Sequence, residues 1–323
     1  MKPGDTSNSL LSPQPATAGG TARVCVVGSV NEDTVITVAA LPTAGQTVAA
    51  RTMTLLPGGK GANQAVAAAR AGASVVFIGA VGDDQAGRRS LKALRDEGID
   101  CSAVLVQDRA PTGTAIVTVA DNGDNQITIL AAANDEMTAD DVTRAMERLE
   151  LGPTDVCLVC FEVTDEAVVA AANYARSHQM TLVVNPAPAR PLAEELRGAR
   201  PILVPNASEA EAITGLSDGE AAAERLHELS GTAVVVTRGG DGVRVVDSAA
   251  RYSLPALSVE VVDTTGAGDA FCGVLTAMLA LGHDLRTAAD NAVVAAGLSV
   301  TAAGARDGSP RAGRITEALK SRT

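Results

Sequence analysis

The sequence predicts an α/β protein with a mostly parallel central sheet flanked by helices and with a small additional β-sheet. Short β-branched runs alternate with alanine-rich stretches along most of the chain, and two regions of alternating polar and apolar residues interrupt that rhythm. The length of 323 residues suits either two domains or one large α/β domain. A chain of this size can bury a large core.

The alternating segments run through the chain between residues 22 and 310. In the first half we expect strands at residues 24–28, 75–78, 156–161 and 181–184 and helices at 62–71, 85–97 and 165–178. In the second half we expect strands at 202–205 and 233–237 and helices at 208–215, 219–229, 269–280 and 285–301. Strands and helices that alternate at this spacing are typical of a parallel sheet covered on both faces.

Four segments depart from this pattern. Residues 1–21 are rich in Ser, Thr, Pro and Gly, so we expect a disordered tail there, and residues 311–323 should form a C-terminal helix or tail. Residues 34–56 and 112–130 form extended segments with no helix between their strands. These strands predict a small antiparallel sheet that acts as a lid over a site. An extension of one edge of the main sheet would give the same pattern.

The composition argues against several classes of function. Lys and Arg total 26 against 38 Asp and Glu, and the resulting charge of -12 lacks the basic footprint that nucleic-acid binding requires. Two Tyr, three Phe and no Trp cannot build stacking platforms for bases. No stretch is apolar for long enough to predict a membrane span. Five scattered cysteines in apolar runs predict reduced, buried thiols and a cytoplasmic protein.

The strongest chemical signal is the segment DTTGAGDAF at residues 263–271. It follows an extended run at 258–262 and opens a helix of small residues, so Gly266 and Gly268 lie at a strand-to-helix turn. Glycines there let backbone N–H groups face an anion at the helix N-terminus. Asp269 lies in the first turn, where its ionised form is favoured and suits the base of a phosphoryl transfer. The structural alternative makes Asp269 a helix cap.

A second glycine cluster, PGGKGANQ at residues 57–64, leads into the first predicted helix. It is not a Walker loop, because Lys60 is followed by Gly rather than by Ser or Thr. Its glycines allow close approach by a ligand, while Lys60 and Asn63 supply hydrogen-bond donors that suit a polyhydroxylated substrate. A tight turn with a solvated lysine is the structural alternative.

Polar residues also follow two predicted strands at their carboxyl ends, where open α/β sheets bind ligands. Asn31 and Asp33 are two residues apart and project to one side of extended backbone, so together they can hold two neighbouring hydroxyls. Glu162 has a similar position after the strand at 156–161. Taken alone, these residues are as typical of ordinary turns.

Two further segments suit a nucleotide. Asn206 and Glu209 are three residues apart where a helix begins, which suits Mg²⁺-bound water or phosphate oxygens and equally suits a capping box. Thr237 and Gly239 belong to TRGGDG, which follows another strand and would let a nucleotide lie against the backbone. A glycine-rich turn is the alternative for the second segment.

Together these motifs resemble the pfkB family of carbohydrate kinases. The resemblance covers about residues 24–310 and rests on GSVNED, GGKGANQAVAAARAG, NPAPAR, VPNASEAE and DTTGAGDAF, which occur in the family's order. The second and the last of these are the family's two signature regions. The resemblance implies a large α/β domain with a β-sheet lid, ATP-dependent phosphorylation of a sugar, and a homodimer formed through the lids.

The resemblance also assigns roles to single residues. Asp269 would be the base that accepts the proton of the sugar hydroxyl, with an anion hole formed by Gly266, Ala267 and Gly268. The positions that hold the sugar are Asn31, Asp33, Gly59, Lys60, Asn63 and Glu162. The positions near the ATP phosphates and Mg²⁺ are Asn206, Glu209, Thr237 and Gly239. A K⁺ site beside the anion hole would use Asp263, Thr265, Ser299, Ala302, Gly304 and Ser309.

D-Ribose, phosphorylated at its 5-hydroxyl, is the acceptor that we expect. Asn31 and Asp33 together favour a furanose with vicinal hydroxyls over a deoxysugar, and the scarcity of aromatic side chains argues against a nucleoside. Deoxyribose, a ketose or a nucleoside stay open as alternative acceptors. A non-catalytic sugar sensor and a nicotinamide-linked oxidoreductase are alternatives from other classes, the second disfavoured because no GxGxxG follows a strand.

Overall fold

A computed structural model describes residues 22–322, so the tail expected at residues 1–21 lies outside the described residues. The main sheet has eight strands, which are β1 Arg23–Val27, β4 Ser74–Ile78, β9 Val156–Cys160, β10 Thr181–Asn185, β11 Ile202–Leu203, β12 Ala233–Thr237, β13 Val243–Asp247 and β14 Arg251–Leu254. Their order is β14-β13-β12-β11-β10-β9-β1-β4. In this order, the six strands β12, β11, β10, β9, β1 and β4 run parallel to one another. At the other edge of the sheet, β13 pairs antiparallel with β12, and β14 pairs antiparallel with β13. The carboxyl ends of the parallel strands therefore meet at one side of the sheet.

A smaller sheet stands apart from the main one and has four strands, which are β2 Asn31–Val38, β3 Ala50–Gly58, β7 Gly113–Ala120 and β8 Asn125–Leu130. Their order is β3-β2-β7-β8. A separate two-stranded sheet consists of β5 Ala80–Gly82 and β6 Leu105–Gln107. The expectation of a purely antiparallel small sheet is wrong, because β2 and β7 pair in parallel at its centre. More than fifty residues separate these two strands along the chain, which leaves room for the crossover that parallel pairing needs.

Ten α-helices accompany the sheets within residues 22–322. They are α1 Lys60–Arg70, α2 Gln85–Asp96, α3 Ala139–Arg148, α4 Asp165–Ser177, α5 Glu194–Gly198, α6 Ala207–Thr214, α7 Gly219–Ser230, α8 Ala267–Ala280, α9 Leu285–Ser299 and α10 Ala312–Arg322. Side-chain caps fix the start of most of them: Thr164, for example, accepts a hydrogen bond from Ala167 N at α4. In this described part of the chain, no helix has the length and apolar character needed to cross a membrane.

The core lies on both faces of the main sheet, because side chains alternate along each strand. Along β1, Val24 and Val26 pack with α1, α8 and α9, whereas Cys25 and Val27 pack with α3 and α4. All five cysteines are free and buried. This architecture confirms the predicted fold class, a mostly parallel sheet flanked by helices with a smaller sheet beside it.

One expected element is absent from the described residues. The run at 258–262 before the DTTGAGDAF motif forms no strand, so α8 begins after a coil rather than at a strand-to-helix turn. Backbone hydrogen bonds from Val262 N and Asp263 N to the carbonyl oxygen of Val300 hold this coil against the end of α9. The DTTGAGDAF motif is thus positioned by a helix and a loop, not by a neighbouring strand.

Candidate active site

Close packing of α1 against α8 brings the two glycine motifs together. A Cβ on Gly273 would lie 2.3 Å from the carbonyl oxygen of Gln64, so only glycine at this point lets α8 approach α1 so closely. One turn earlier on α8, Asp269 meets the first turn of α1. Asn63 Nδ2 donates to Asp269 Oδ2 at 3.1 Å, and Gln64 Nε2 donates to Asp269 Oδ1 at 3.1 Å.

Both amides that hold Asp269 are themselves held by groups further out. Gln64 Nε2 also donates to Asn185 Oδ1 at 3.0 Å, and Asn185 Nδ2 donates to the carbonyl oxygen of Val204 at 2.9 Å. Asn63 Oδ1 accepts from Arg306 Nε at 2.8 Å. The carboxylate of Asp269 therefore ends two chains of oriented hydrogen bonds, and its direction is well defined.

The electrostatic surroundings of Asp269 suit a proton acceptor. The side chain is 7% exposed, and burial raises its pKa, while the Lys60 ammonium and the amides of Asn63 and Gln64 act in the opposite direction. The charge of Asp269 in turn raises the pKa of Lys60, which stays protonated. A carboxylate with a raised pKa is a stronger base than an exposed one, because it binds a proton more readily.

Glu162 joins the ends of two parallel strands to the start of α1. Its Oε2 accepts from Ser29 Oγ at 2.6 Å and from Lys60 N at 2.9 Å. These two bonds fix the backbone at the point where Lys60 begins the helix. Gly59, the residue before Lys60, caps that helix.

Asn31 and Asp33 lie at the start of β2 in the small sheet, next to Gly58 and Gly59, which precede α1. Asn31 Oδ1 accepts from Asn134 Nδ2 at 2.9 Å, and Asn134 Oδ1 accepts from Val30 N at 2.9 Å. The carboxyl group of Asp33 lies against Gly58, where a Cβ would approach Asp33 Oδ2 to 2.2 Å. Asp33 Oδ1 is buried without a hydrogen-bond partner within residues 22–322. Burial, followed by repulsion from Glu162, raises the pKa of Asp33 to about 6.

Two cavities meet at the carboxyl side of the main sheet. The smaller, of about 220 Å³, is lined by Lys60, Asn185, Ala187, Val204, Asn206, Glu209, Thr237, Thr264, Gly266, Gly268, Asp269 and Cys272. The larger, of about 1050 Å³, runs past Gly239 and Ala267 between apolar side chains that include Val243, Leu257 and Val293. Four residues line both cavities: Asn206, Thr237, Thr264 and Gly268.

The N-terminus of α8 lies where the two cavities meet. Gly266 caps the helix with φ 77°, a left-handed conformation that an L side chain rarely adopts. Ala267 N donates to the carbonyl oxygen of Thr264 at 3.3 Å, whereas the next N–H groups belong to the first turn, which has no intrahelical acceptor. Gly268 and Asp269 thus present amide donors at a positive helix end.

Asn206 and Glu209 form the capping box that was one of their two sequence interpretations. Glu209 N donates to Asn206 Oδ1 and Asn206 N donates to Glu209 Oε2, both at 2.8 Å. Both side chains nevertheless line the smaller cavity, and burial raises the pKa of Glu209. The capping bonds use one carboxylate oxygen of Glu209, so the two interpretations are compatible.

A model of the pfkB family of carbohydrate kinases matches residues 21–312. The chain belongs to this family. It is 38% identical to a ribokinase from Bacillus subtilis over 298 residues, covering 92% of this chain and 99% of the relative. It is 32% identical to a deoxyribokinase from Salmonella typhi, covering 92% and 98%. A structure of Arabidopsis thaliana ribokinase complexed with ribose and ATP has a TM-score of 0.84 and 27% identity, covering 93% of this chain and 99% of that chain.

This pfkB kinase brings part of the expected K⁺ site together. Asp263 Oδ1 accepts from Thr265 N at 2.9 Å and Asp263 Oδ2 accepts from Gly304 N at 2.8 Å. Gly308 packs against the carbonyl oxygen of Ser299, and the buried hydroxyl of Ser309 has no hydrogen-bond partner in the described chain. Ala302 is exposed. A buried hydroxyl without a partner and the backbone carbonyls of this loop are oxygen ligands of the kind that a monovalent cation takes.

Four polar residues of the kinase site were not assigned a role from the sequence: Gln64, Asn134, Asn185 and Arg306. Gln64 belongs to the same motif as Asn63, and Asn185 begins NPAPAR. Their membership of these motifs could have identified them as site residues. Arg306 had no such signal. It is 7% exposed and reaches Asn63 across 243 residues of sequence.

Proposed function

We propose that this kinase transfers the terminal phosphoryl group of ATP to the 5-hydroxyl of D-ribose, with Asp269 as the base. One observation carries the proposal: Asp269, Lys60 and the glycines at the start of α8 line a single small cavity that joins a larger one at Gly268. The ribokinase from Bacillus subtilis and the Arabidopsis thaliana complex with ribose and ATP support the choice of substrates.

In this mechanism the larger cavity holds ATP, with its adenosine between the apolar side chains and its phosphates directed towards Gly268. The sugar lies on the other side, below the small sheet. Asp269 orients the acceptor hydroxyl and accepts its proton as the sugar oxygen bonds to the terminal phosphorus of ATP. The bond from that phosphorus to the bridging oxygen breaks, and ADP leaves with the bridging oxygen. The amides at the start of α8 and the Lys60 ammonium stabilise the charge on the transferred group.

The remaining assigned residues hold the substrates. The unpaired Oδ1 of Asp33 accepts a hydrogen bond from a sugar hydroxyl. The sugar site is also lined by Asn31, Gly59, Asn63 and Glu162. Asn206 and Glu209 would hold Mg²⁺ through its bound water, and Mg²⁺ would supply positive charge to the phosphate oxygens. Thr237 and Gly239 line the nucleotide cavity. A K⁺ would be held by Asp263, Thr265, Ser299, Ala302, Gly304 and Ser309, and it would supply positive charge beside the anion hole.

An acceptor panel tests the proposal. Purified protein, ATP and Mg²⁺ are combined with D-ribose, 2-deoxyribose, ketoses and nucleosides, and ADP release is followed with a coupling enzyme. D-Ribose should give the highest kcat/KM. A higher value for any other acceptor rejects the assignment of substrate.

The Asp269→Asn variant tests the base. The asparagine keeps the size of the side chain but cannot take the proton, so kcat should fall by about 10² to 10⁴-fold. Ribose binding, measured by calorimetry, should remain. A wild-type protein that binds ribose and never releases ADP would favour the sensor alternative instead.

2-Deoxyribose is the second candidate acceptor, because two relatives of similar coverage are named deoxyribokinases. The pair of Asn31 and Asp33 favours ribose, since a carboxylate and an amide together can hold two vicinal hydroxyls. Removal of the 2-hydroxyl would leave buried polar groups of the protein without partners. Ribose should therefore have the lower KM of the two sugars.

The small sheet supports a homodimer in which it acts as a lid. Asp33, Ala115 and Ile129 lie opposite one another across three strands and so share one face. Beyond the site, this face continues into Ile127 and Ile129, each 58% exposed. A second copy of the sheet is the occupant that matches such a face, because it carries the same apolar residues and would cover the sugar site from above.

A further inference from the structure

Arg306 is a buried cation in the loop that follows α9, and its guanidinium reaches the start of α1. Its Nε donates to Asn63 Oδ1 at 2.8 Å, and its Nη2 donates to the carbonyl oxygen of Gly58 at 2.8 Å. Burial lowers the pKa of Arg306 to about 10, so the side chain is charged at neutral pH. Nothing in the pfkB motifs of the chain assigns this residue a role.

The chemistry of the guanidinium decides how the Asn63 amide is oriented. A guanidinium has only donors, so the atom of Asn63 that faces it must be the oxygen. The other end of the amide, Nδ2, then faces Asp269 Oδ2 at 3.1 Å as a donor. With the amide turned over, an oxygen would face the carboxylate and repel it.

We infer that Arg306 is a positioning residue for Asp269, which fixes the Asn63 amide so that it donates to the carboxylate. The inference rests on the proposed function, in which Asp269 is the base. Arg306 acts through Asn63 and does not itself touch the reacting atoms.

The backbone of Arg306 is held as firmly as its side chain. Arg70, at the end of α1, donates from Nη1 to the carbonyl oxygen of Arg306 and to that of Ser309 at 3.0 Å. Glu97 holds Arg70 through a contact of 2.6 Å. The loop thus lies along α1, with its backbone against the side chain of Arg70 and the guanidinium of Arg306 at the first turn of the helix.

Other charges also act on Asp269 and have to be held constant in any test. The charged groups near it are Lys60, Asp33, Glu162, Glu209 and Arg306, and the buried thiols of Cys160 and Cys272 also lie near it. Substitutions at Arg306 leave the first four unchanged. Arg306→Lys also preserves the charge of residue 306, and a background without the Asn63 amide separates positioning through Asn63 from the loss of a cation.

The test compares Arg306→Met, Arg306→Lys and the matched control Arg311→Met in the full-length protein. Arg311 lies five residues further on, is 71% exposed and pairs only with Glu97 in the described chain. We measure kcat, KM for the best acceptor, and the pH below which kcat falls. Thermal unfolding of each variant checks that it is folded.

Arg306→Met should lower kcat by about 10- to 100-fold. It should also move the fall in kcat to higher pH, because a carboxylate that loses a donor is protonated more easily. Arg306→Lys should restore most of the rate and the original pH dependence, since an ammonium also only donates. Arg311→Met should behave as the wild type.

A second background shows whether the effect passes through Asn63. In Asn63→Ala protein, Arg306→Met should move the pH dependence no further than Asn63→Ala alone. A further shift would mean that the charge of Arg306 acts on Asp269 directly, and would overturn the inference.

Three other outcomes also overturn it. They are a wild-type rate in Arg306→Met, a higher KM for the sugar without a change in kcat or its pH dependence, and an equal loss of kcat in Arg306→Met and Arg306→Lys with an unshifted pH dependence. The second would make Arg306 a sugar contact, and the third would make it a purely structural residue. If the wild type phosphorylates no sugar, the proposed function fails, and this is known before any variant is compared.

Discussion

At the scale of single residues, the buried carboxylate of Asp33 destabilises the ligand-free fold but suits the binding of a sugar hydroxyl. Its Oδ1 is buried and unpaired in the described chain, and its pKa is raised from 3.8 to about 6. Because the folded-state pKa lies above the unfolded value, the ionised side chain favours the unfolded state. That cost begins as the pH rises above about 4 and is fully present above about 6. A bound sugar hydroxyl would remove it.

Asp33→Asn should therefore stabilise the ligand-free protein by about 1 to 3 kcal/mol at pH 7.5 and by less at pH 5. Urea unfolding at the two pH values measures the difference. The control is Asp108→Asn, whose carboxylate is 89% exposed and should give a change below about 0.5 kcal/mol. An equal gain from Asp33→Asn at both pH values would contradict the pKa assignment. The variant should also raise KM for ribose.

Local sequence patterns predicted Asp269, Lys60 and Asn63 as site candidates, because each lies within a glycine-rich segment at the start of a helix. They did not predict that Asn185 and Arg306 orient the amides around Asp269. These contacts join residues more than one hundred positions apart, and they exist only because the fold brings the start of α1 against the end of β10 and against the loop after α9. No local spacing encodes such a contact.

At the scale of elements, the two ends of α8 offer a matched pair of glycines. Gly266 has φ 77°, and a Cβ there would lie 2.6 Å from the Cα of Ala305. Gly282 has φ 86°, but a Cβ there would have no heavy atom within 4 Å. The first glycine meets both a conformational and a steric requirement, whereas the second meets only the conformational one.

Gly282→Ala should cost about 1 kcal/mol of stability through its backbone conformation alone. Gly266→Ala should cost at least about 2 kcal/mol, because the loop at Ala305 must also move. It should lower kcat by more than tenfold, since the amides at the start of α8 would shift away from the phosphoryl group. Urea unfolding and ADP release measure the two effects. Equal results for both variants would show that the steric contact has no consequence.

Periodicity predicted most helices and strands of the main sheet, yet it failed where tertiary contacts decide. Residues 258–262 have the composition of a strand, but they pack against the end of α9 and find no strand partner. The parallel pairing of β2 with β7 also escaped prediction, because alternation along a strand carries no information about the direction of its neighbour.

At the scale of the whole molecule, the small sheet exposes large apolar side chains on both faces. By the strand register, Ile127 and Ile129 lie on the face of Asp33, whereas the opposite face carries Met53, Leu55, Ile116 and Leu130. The proposed dimer would cover the exposed pair on the face of Asp33. The double variant Ile127→Glu/Ile129→Glu should shift the protein from dimer to monomer in sedimentation velocity, since two charges would be buried without partners.

Val106→Glu is the control for this change, because Val106 is 57% exposed but lies in the separate β5–β6 pair. It should leave the sedimentation coefficient unchanged. A wild-type protein that sediments as a monomer at micromolar concentration would contradict the dimer, as would a double variant that stays dimeric.

All five thiols of the chain are buried, and burial raises the pKa of Cys101 and of Cys160 to about 11. Thiol-reactive fluorophores attack thiolates, so the native chain should take up almost no dye at neutral pH. One cysteine introduced at the rim of the small sheet would then carry the only label. Its emission would report any movement of the small sheet over the sugar site on substrate binding, and the natural cysteines would not have to be replaced first.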